Sequence, residues 1–178
     1  MTGSVILDRD GVINDHQNYV NTPDDFHLFS TAGPSIRRLN DAGFKVYVAT
    51  NQGGVGLGYM TMSDIQHVHD TMQEQLAVFG ATLEDIAVCP HAPHAGCSCR
   101  KPKPGMLLQL SETHGFNLKE SYMVGDRETD VQAGQRAGCK TIFIGSGPSA
   151  ADWTANDLAE AVERILLDKP DARYDASP

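Results

Sequence analysis

The chain has 178 residues, of which 40% are hydrophobic and 21% charged, the composition of an ordinary globular protein with enough length for one well-buried domain. A formal charge of −9 argues against a nucleic-acid surface, and no apolar run approaches the roughly 20 residues of a membrane span. No hydrophobic leader precedes Asp8, so the cytoplasm is the expected compartment.

Short apolar runs alternate with segments of helical period. Val5–Leu7 reads as a buried strand, Gly33–Ala42 as a helix, and Val46–Ala49 as a second strand. Ser63–Phe79 is helical, with Ile65, Val68, Met72, Leu76 and Phe79 on one face. Ile86–Val88, helix Gly105–His114, Tyr122–Val124, helix Thr129–Ala137, Thr141–Ile144 and helix Asp157–Leu167 complete the pattern. Strands alternating with helices predict an α/β Rossmann-like fold, a parallel five- to six-stranded sheet with helices on both faces. Residues 1–168 are expected to form a single domain; 169–178, with Pro170, Asp171 and Ser177-Pro178, read as a disordered tail.

Polar residues collect where these strands end. Asp8-Arg9-Asp10-Gly11 follows the first strand, Thr50-Asn51-Gln52-Gly53-Gly54 the second, and Gly125-Asp126-Arg127-Glu128-Thr129-Asp130 the fourth. In a parallel sheet all of them meet at one edge, where such folds bind ligands. Any one alone could be a turn or a helix cap.

After the third strand comes Cys89-Pro90-His91-Ala92-Pro93-His94-Ala95-Gly96-Cys97-Ser98-Cys99, then Arg100-Lys101. Cys89, His91, Cys97 and Cys99 form a closed four-ligand set for structural Zn²⁺, which favours tetrahedral Cys and His donors. A disulfide is the bland alternative, and His94 could replace His91. Elsewhere, His67 and His69 point to different faces of their helix and read as solvated; Cys139, Met60, Met62 and Met72 read as packing residues.

DRDGVIN, ATNQGG, CPHxPxxxCxCRKPxPGM and SYMVGD in one chain resemble the haloacid dehalogenase (HAD) phosphatases, in the branch that holds D,D-heptose 1,7-bisphosphate phosphatase and the histidinol-phosphate phosphatase domain. The likeness spans about residues 4–145 and implies a fold without a large cap domain. It implies Asp8 as nucleophile, forming an aspartyl-phosphate, and Asp10 as the acid and base that protonates the leaving oxygen and deprotonates water. Mg²⁺ would be held by Asp8, the Asp10 carbonyl and Asp126, with Asp130 orienting that shell or capping its helix. Thr50 and Lys101 would bind the transferring phosphoryl group, with Lys103 as a rival for Lys101, and Arg100 would engage substrate oxygens. His16, Gln17, Asn18, Tyr19, Asn51, Gln52, Gly53 and Arg127 are the expected substrate contacts.

The resemblance points to a small phosphorylated sugar, no nucleic acid or membrane partner, and a monomer. One departure stands out: Leu57 occupies a place where the heptose enzymes carry arginine, which reopens how a second phosphate is held. Histidinol phosphate is the rival substrate and would need an acidic pocket, for which Asp15, Asp24 and Asp25 are candidates. A DNA 3′-phosphatase is disfavoured by the acidic balance, and a non-catalytic descendant by the intact Asp8, Asp10, Thr50, Lys101 and Asp126.

Overall fold

An unbroken apolar run suits a strand covered on both faces, since side chains alternate across the sheet. The computed structural model, which describes residues 3–169, shows this arrangement: Val5, Leu7, Val46 and Val48 point into one hydrophobic layer, and Ile6, Tyr47 and Ala49 into the other. The strands are β1 (Ser4–Leu7), β2 (Lys45–Asn51), β3 (Asp85–Cys89), β4 (Tyr122–Gly125), β5 (Lys140–Ile144) and β6 (Trp153–Ala155), in the order β3-β2-β1-β4-β5-β6. Every pairing is parallel.

Helices α1 (Ala32–Asp41), α2 (Met62–Ala77) and α5 (Leu158–Asp168) supply Ile36, Leu39, Val68, Met72, Leu76, Val162 and Ile165 to the first layer. Helices α3 (Gly105–His114) and α4 (Glu128–Ala137) supply Met106, Leu107, Leu110 and Ala133 to the second. Their ends follow local chemistry. Thr61 caps α2 reciprocally with Asp64, Asp157 accepts from the Glu160 amide at the start of α5, and Gly115 and Gly138 end α3 and α4 in the left-handed conformation.

The sheet has six strands, within the five to six expected, and three residue-level expectations, for Phe79, His69 and Met62, need correction. The strand β6 is three residues, Trp-Thr-Ala, too short to form an apolar run; it exists because β5 offers it an edge. Phe79 lies beyond the end of α2 and is 43% exposed, its ring laid over Gly33 of α1 instead of continuing the stripe. His69 is buried, not solvated, whereas His67 is exposed as expected. Met60 and Met72 pack inside, but Met62 is half exposed. The expected tail lies outside the described residues except for Lys169. No described helix is long and apolar enough to cross a membrane.

Candidate active site

The strand order reverses at β1, which has β2 on one side and β4 on the other, and a crevice opens outside the carboxyl ends of strands at such a point. Asp8 leaves β1 there, its amide donating to the Val124 carbonyl of β4 at 2.9 Å. Its carboxylate lies on the floor of a cleft of about 820 Å³, shared with Asp10, Asn51, Arg100, Lys101, Arg127 and Asp130.

Lys101 organises this floor. Its ammonium, fully enclosed, donates to Asp8 Oδ1 at 2.8 Å and to the Ala49 carbonyl at 2.7 Å, and lies 2.7 Å from Asp130 Oδ1. Those three partners use all three ammonium protons. Burial alone would lower its pKa, but the charges of Asp8 and Asp130 outweigh that and raise it, so the cation persists. Lys103 is directed elsewhere: it is exposed and donates to the Cys97 carbonyl at 2.6 Å.

Asp126 and Asp130 follow β4 and open α4. Asp130 spends one oxygen on Lys101 and the other on the Arg127 amide at 3.0 Å, capping the helix. Asp126 Oδ1 is buried without a partner among the described residues, and Oδ2 is 3.6 Å from His16 Nε2. Burial, then repulsion from neighbouring carboxylates, pushes Asp126 up to about 6; burial and Asp8 do the same to Asp130. Carboxylate oxygens of Asp8, Asp126 and Asp130 lie within 4.8 Å of one another. An orphaned buried oxygen in a cluster of hard, mutually repelling donors fits a hard divalent cation such as Mg²⁺.

Asp10 is held differently. Its carboxylate accepts from Arg9 Nε and Nη2 at 3.0 and 2.9 Å, from Asn14 Nδ2 at 3.0 Å and from Gln52 Nε2 at 3.0 Å. Burial would raise its pKa; the Arg9 charge and these donors outweigh that and lower it. Gln52 also donates to Thr50 Oγ1 at 2.8 Å, which leaves the Thr50 hydroxyl proton free to donate. Asn51 exchanges bonds of 3.1 Å with the Lys101 backbone at both amide and carbonyl. The expected substrate contacts Asn51 and Gln52 therefore commit their amides to the protein.

The end of β3 and the loop after it bring together the four residues expected to ligate zinc. Cys89 Sγ is 3.0 Å from Cys99 Sγ and 3.7 Å from Cys97 Sγ, and His91 Nδ1 is 3.2 Å from Cys99 Sγ and 3.6 Å from Cys89 Sγ. A tetrahedron with Zn–S bonds of about 2.3 Å has S–S edges of roughly 3.8 Å, so the set suits zinc. All four cysteines are free thiols, and His94 lies outside the cluster, on the cleft wall. Arg100 leaves the clasp with Nη1 3.3 Å from the His91 carbonyl. A Cβ on Gly56 would stand 2.4 Å from the Ala92 amide nitrogen, so only glycine lets the loop after β2 lie against the clasp.

A second hollow of about 640 Å³ adjoins Asp10 and carries His16, Asn18, Tyr19, Gly53, Leu57, Tyr59 and Arg127 on its walls. Tyr19 and Tyr59 are 89% and 73% exposed. Gln17 borders neither hollow and is exposed. Asp15, Asp24 and Asp25 are absent from both; Asp25 is occupied by Thr22 and Asn21, and Asp15 by the Gln17 amide. Sequence reasoning missed Arg9, Asn14 and His69, all buried beside Asp10 or joined to it through Arg9.

With this geometry in view, the comparisons with known proteins are specific. The HAD-hydrolase-like family model matches residues 98–168. A D-glycero-beta-D-manno-heptose-1,7-bisphosphate 7-phosphatase of Pseudomonas aeruginosa is 40% identical over 144 residues, 80% of this chain and 81% of that protein. The chain belongs to this HAD-type heptose-bisphosphate phosphatase family. An alpha-anomer phosphatase of Photorhabdus laumondii is 36% identical over 85% of this chain and 87% of its own. The crystal structure of the family member from B. bronchiseptica, complexed with magnesium and phosphate, superposes with a TM-score of 0.87 at 33% identity, covering 94% of this chain and all of that one.

Replacing Lys101 by methionine removes the counter-charge from two buried carboxylates. Urea unfolding of Lys101→Met is expected to show a loss of about 3–5 kcal/mol, the usual cost of stranding a buried ion pair. A loss under 1 kcal/mol would show that the pair is not load-sharing in the fold, by the same scale.

Proposed function

We propose that the chain is a phosphatase that removes the C7 phosphate of a D-glycero-D-manno-heptose 1,7-bisphosphate, releasing the 1-phosphate. The observation that carries this reading is the cleft floor: a carboxylate, Asp8, held by the buried Lys101 ammonium beside a carboxylate cluster suited to a divalent cation. Such a floor faces a phosphoryl group with a nucleophile and positive charge together. The named activity of the relatives supplies the substrate.

Asp8 attacks phosphorus, the P–O bond to C7 breaks, and the sugar oxygen takes its proton from Asp10. Asp10 then removes a proton from water, which attacks the aspartyl-phosphate and frees Asp8 and inorganic phosphate. The Thr50 hydroxyl donates to the equatorial oxygens, where fixed donors count most, and the Lys101 ammonium, its protons already committed, offsets their charge through space. Asp8, the Asp10 carbonyl and Asp126 would hold Mg²⁺, which would supply positive charge to offset the nucleophile and the phosphoryl oxygens. Asn51 and Gln52 act here as positioning residues, tying Lys101 and Asp10 to β2.

The second phosphate has cations to meet. Arg100, Lys103 and Arg136 line the larger cleft alone and Arg127 borders both, while the hollow bearing Leu57 is also walled by Tyr19 and Tyr59. The C1 phosphate is therefore assigned to the zinc-loop side and the sugar face to the tyrosine side, which relieves Leu57 of any need to be an arginine. A monomer of the 1–168 domain is proposed as the catalytic unit. Zn²⁺ on Cys89, His91, Cys97 and Cys99 shapes the loop that carries Arg100 and Lys101; its reduced thiols suit the cytoplasm.

Steady-state kcat/KM on both anomers of the bisphosphate and on histidinol phosphate tests the reading. One bisphosphate anomer is expected to lead, and Asp8→Asn to reduce that activity by at least about a thousandfold, as loss of a nucleophile does. A lead for histidinol phosphate would overturn the substrate, and an active Asp8→Asn the nucleophile. Metal analysis of the purified protein should return one zinc per chain, and Cys97→Ser should lose it together with stability; a serine variant of unchanged metal content and melting would remove the clasp. Because Asp126 and Asp130 are pushed up to about 6, protons compete with Mg²⁺ below that pH. Calorimetric Mg²⁺ affinity should fall as pH drops through about 6 and level off above it; an affinity flat across that range contradicts the ligand assignment.

A further inference from the structure

Arg9 sits between the two aspartates of the first loop, yet it is only 1% exposed. A guanidinium keeps its charge, so burying one requires that its donors be used. Nε donates to Asp10 Oδ1 at 3.0 Å, and Nη2 to Oδ1 and Oδ2 at 2.9 and 3.0 Å. Nη1 points the other way and meets His69 Nε2 at 3.1 Å. Arginine can only donate, so His69 Nε2 accepts and its ring proton is on Nδ1. Burial, and then the Arg9 charge, push the His69 pKa down to about 4, in keeping with a neutral ring.

His69 therefore grips the far end of the fork whose near end holds Asp10. It comes from α2, an element that lies outside the four polar loops, and it reaches across from the packed side of the sheet. We infer that His69 is a positioning residue for the chemical step: by anchoring Arg9 Nη1 it sets the plane of the guanidinium and so the direction in which the Asp10 carboxyl faces the departing oxygen. Asn14 and Gln52 fix the two Asp10 oxygens from other sides, but neither touches Nη1. Without His69 the fork tilts and takes the carboxyl with it. Misplacement of a reacting group by about 1 Å can cost on the order of a hundredfold in rate.

This inference rests on the phosphatase reading above and its assignment of Asp10 to the leaving oxygen. The test compares two kinds of ester in one protein sample. An alcohol phosphate needs a proton on its leaving oxygen, whereas 4-nitrophenyl phosphate releases a phenolate stable without one. The value of kcat/KM covers events up to departure of that group and is unaffected by the later hydrolysis of the aspartyl-phosphate.

For His69→Leu, kcat/KM on the heptose bisphosphate should fall about tenfold to a hundredfold, and on 4-nitrophenyl phosphate by less than about threefold. Inhibition by inorganic phosphate should stay within about twofold, since binding is not at issue. His69→Gln, whose side-chain oxygen can accept from Nη1, should recover most of the alcohol-ester rate. His69 borders a cavity of about 490 Å³, which gives leucine room, and a partly unfolded sample would lower both esters alike without moving their ratio. An equal loss on both esters, no loss on the alcohol ester, weaker phosphate inhibition, or a glutamine variant no better than leucine would overturn the assignment. If the natural substrate is a different alcohol phosphate, the wild-type rates reveal it, and the same ratio is taken with that ester.

Discussion

One buried ammonium determines how the parts of this molecule stand to one another. Lys101 Nζ is shared by Asp8 at the end of β1, the Ala49 carbonyl within β2 and Asp130 in the first turn of α4. Each partner is expensive to enclose alone, because a buried charge or carbonyl without a partner loses its hydration and regains nothing. Together they make a node that draws two strands, a helix and the loop after β3 onto one point. The same node leaves Asp8 charged and restrained at the cleft floor. Structure and reactivity therefore depend on a single contact set, and neither can be altered there without the other.

Much of this was legible along the chain. The apolar runs of β1, β2 and β4 became strands because both their faces are covered, so hydrophobicity alone marks them, whereas that of β3 is half-buried at the sheet edge. The polar loops then fell at one edge by topology. What stayed hidden had weaker local signatures. A three-residue strand of Trp, Thr and Ala has no pattern of its own and depends on the free edge of β5. His69 did have a signal: it stands four residues after Ile65 and three before Met72, squarely on the buried stripe of α2. Arg9 carries no local sign of burial, since a charged residue in a loop between two acids is ordinarily exposed.

The tethers between loops belong to the second class of hidden feature. Nothing local to Asn51 says that its amide will close on the backbone of Lys101, fifty residues later, or that Gln52 will reach Asp10. Both read as ligand contacts because amides in a phosphate loop commonly are. Their bonds instead divide the site into an inner set, held by the protein itself, and an outer set of Arg100, Arg127, Tyr19 and Tyr59 that borders open volume. Asp10 and Asp8, two residues apart, are thus given different surroundings: one is surrounded by donors from Arg9, Asn14 and Gln52, the other by Lys101 and neighbouring acids. The donors around Asp10 favour its carboxylate, the form that takes the proton of the attacking water.

The close approach of the loop after β2 to the Cys/His cluster bears on how such a site changes over generations. Gly56 has no room for a side chain against the Ala92 backbone, while its neighbour Leu57 is 51% exposed on the wall of the second hollow. Drift is thereby channelled. A replacement at the glycine would break the seam between two loops, whereas one at the leucine would alter only the rim of the second hollow. A lineage can exchange one sugar ester for another at that rim while the seam, and the chemistry behind it, passes on unchanged.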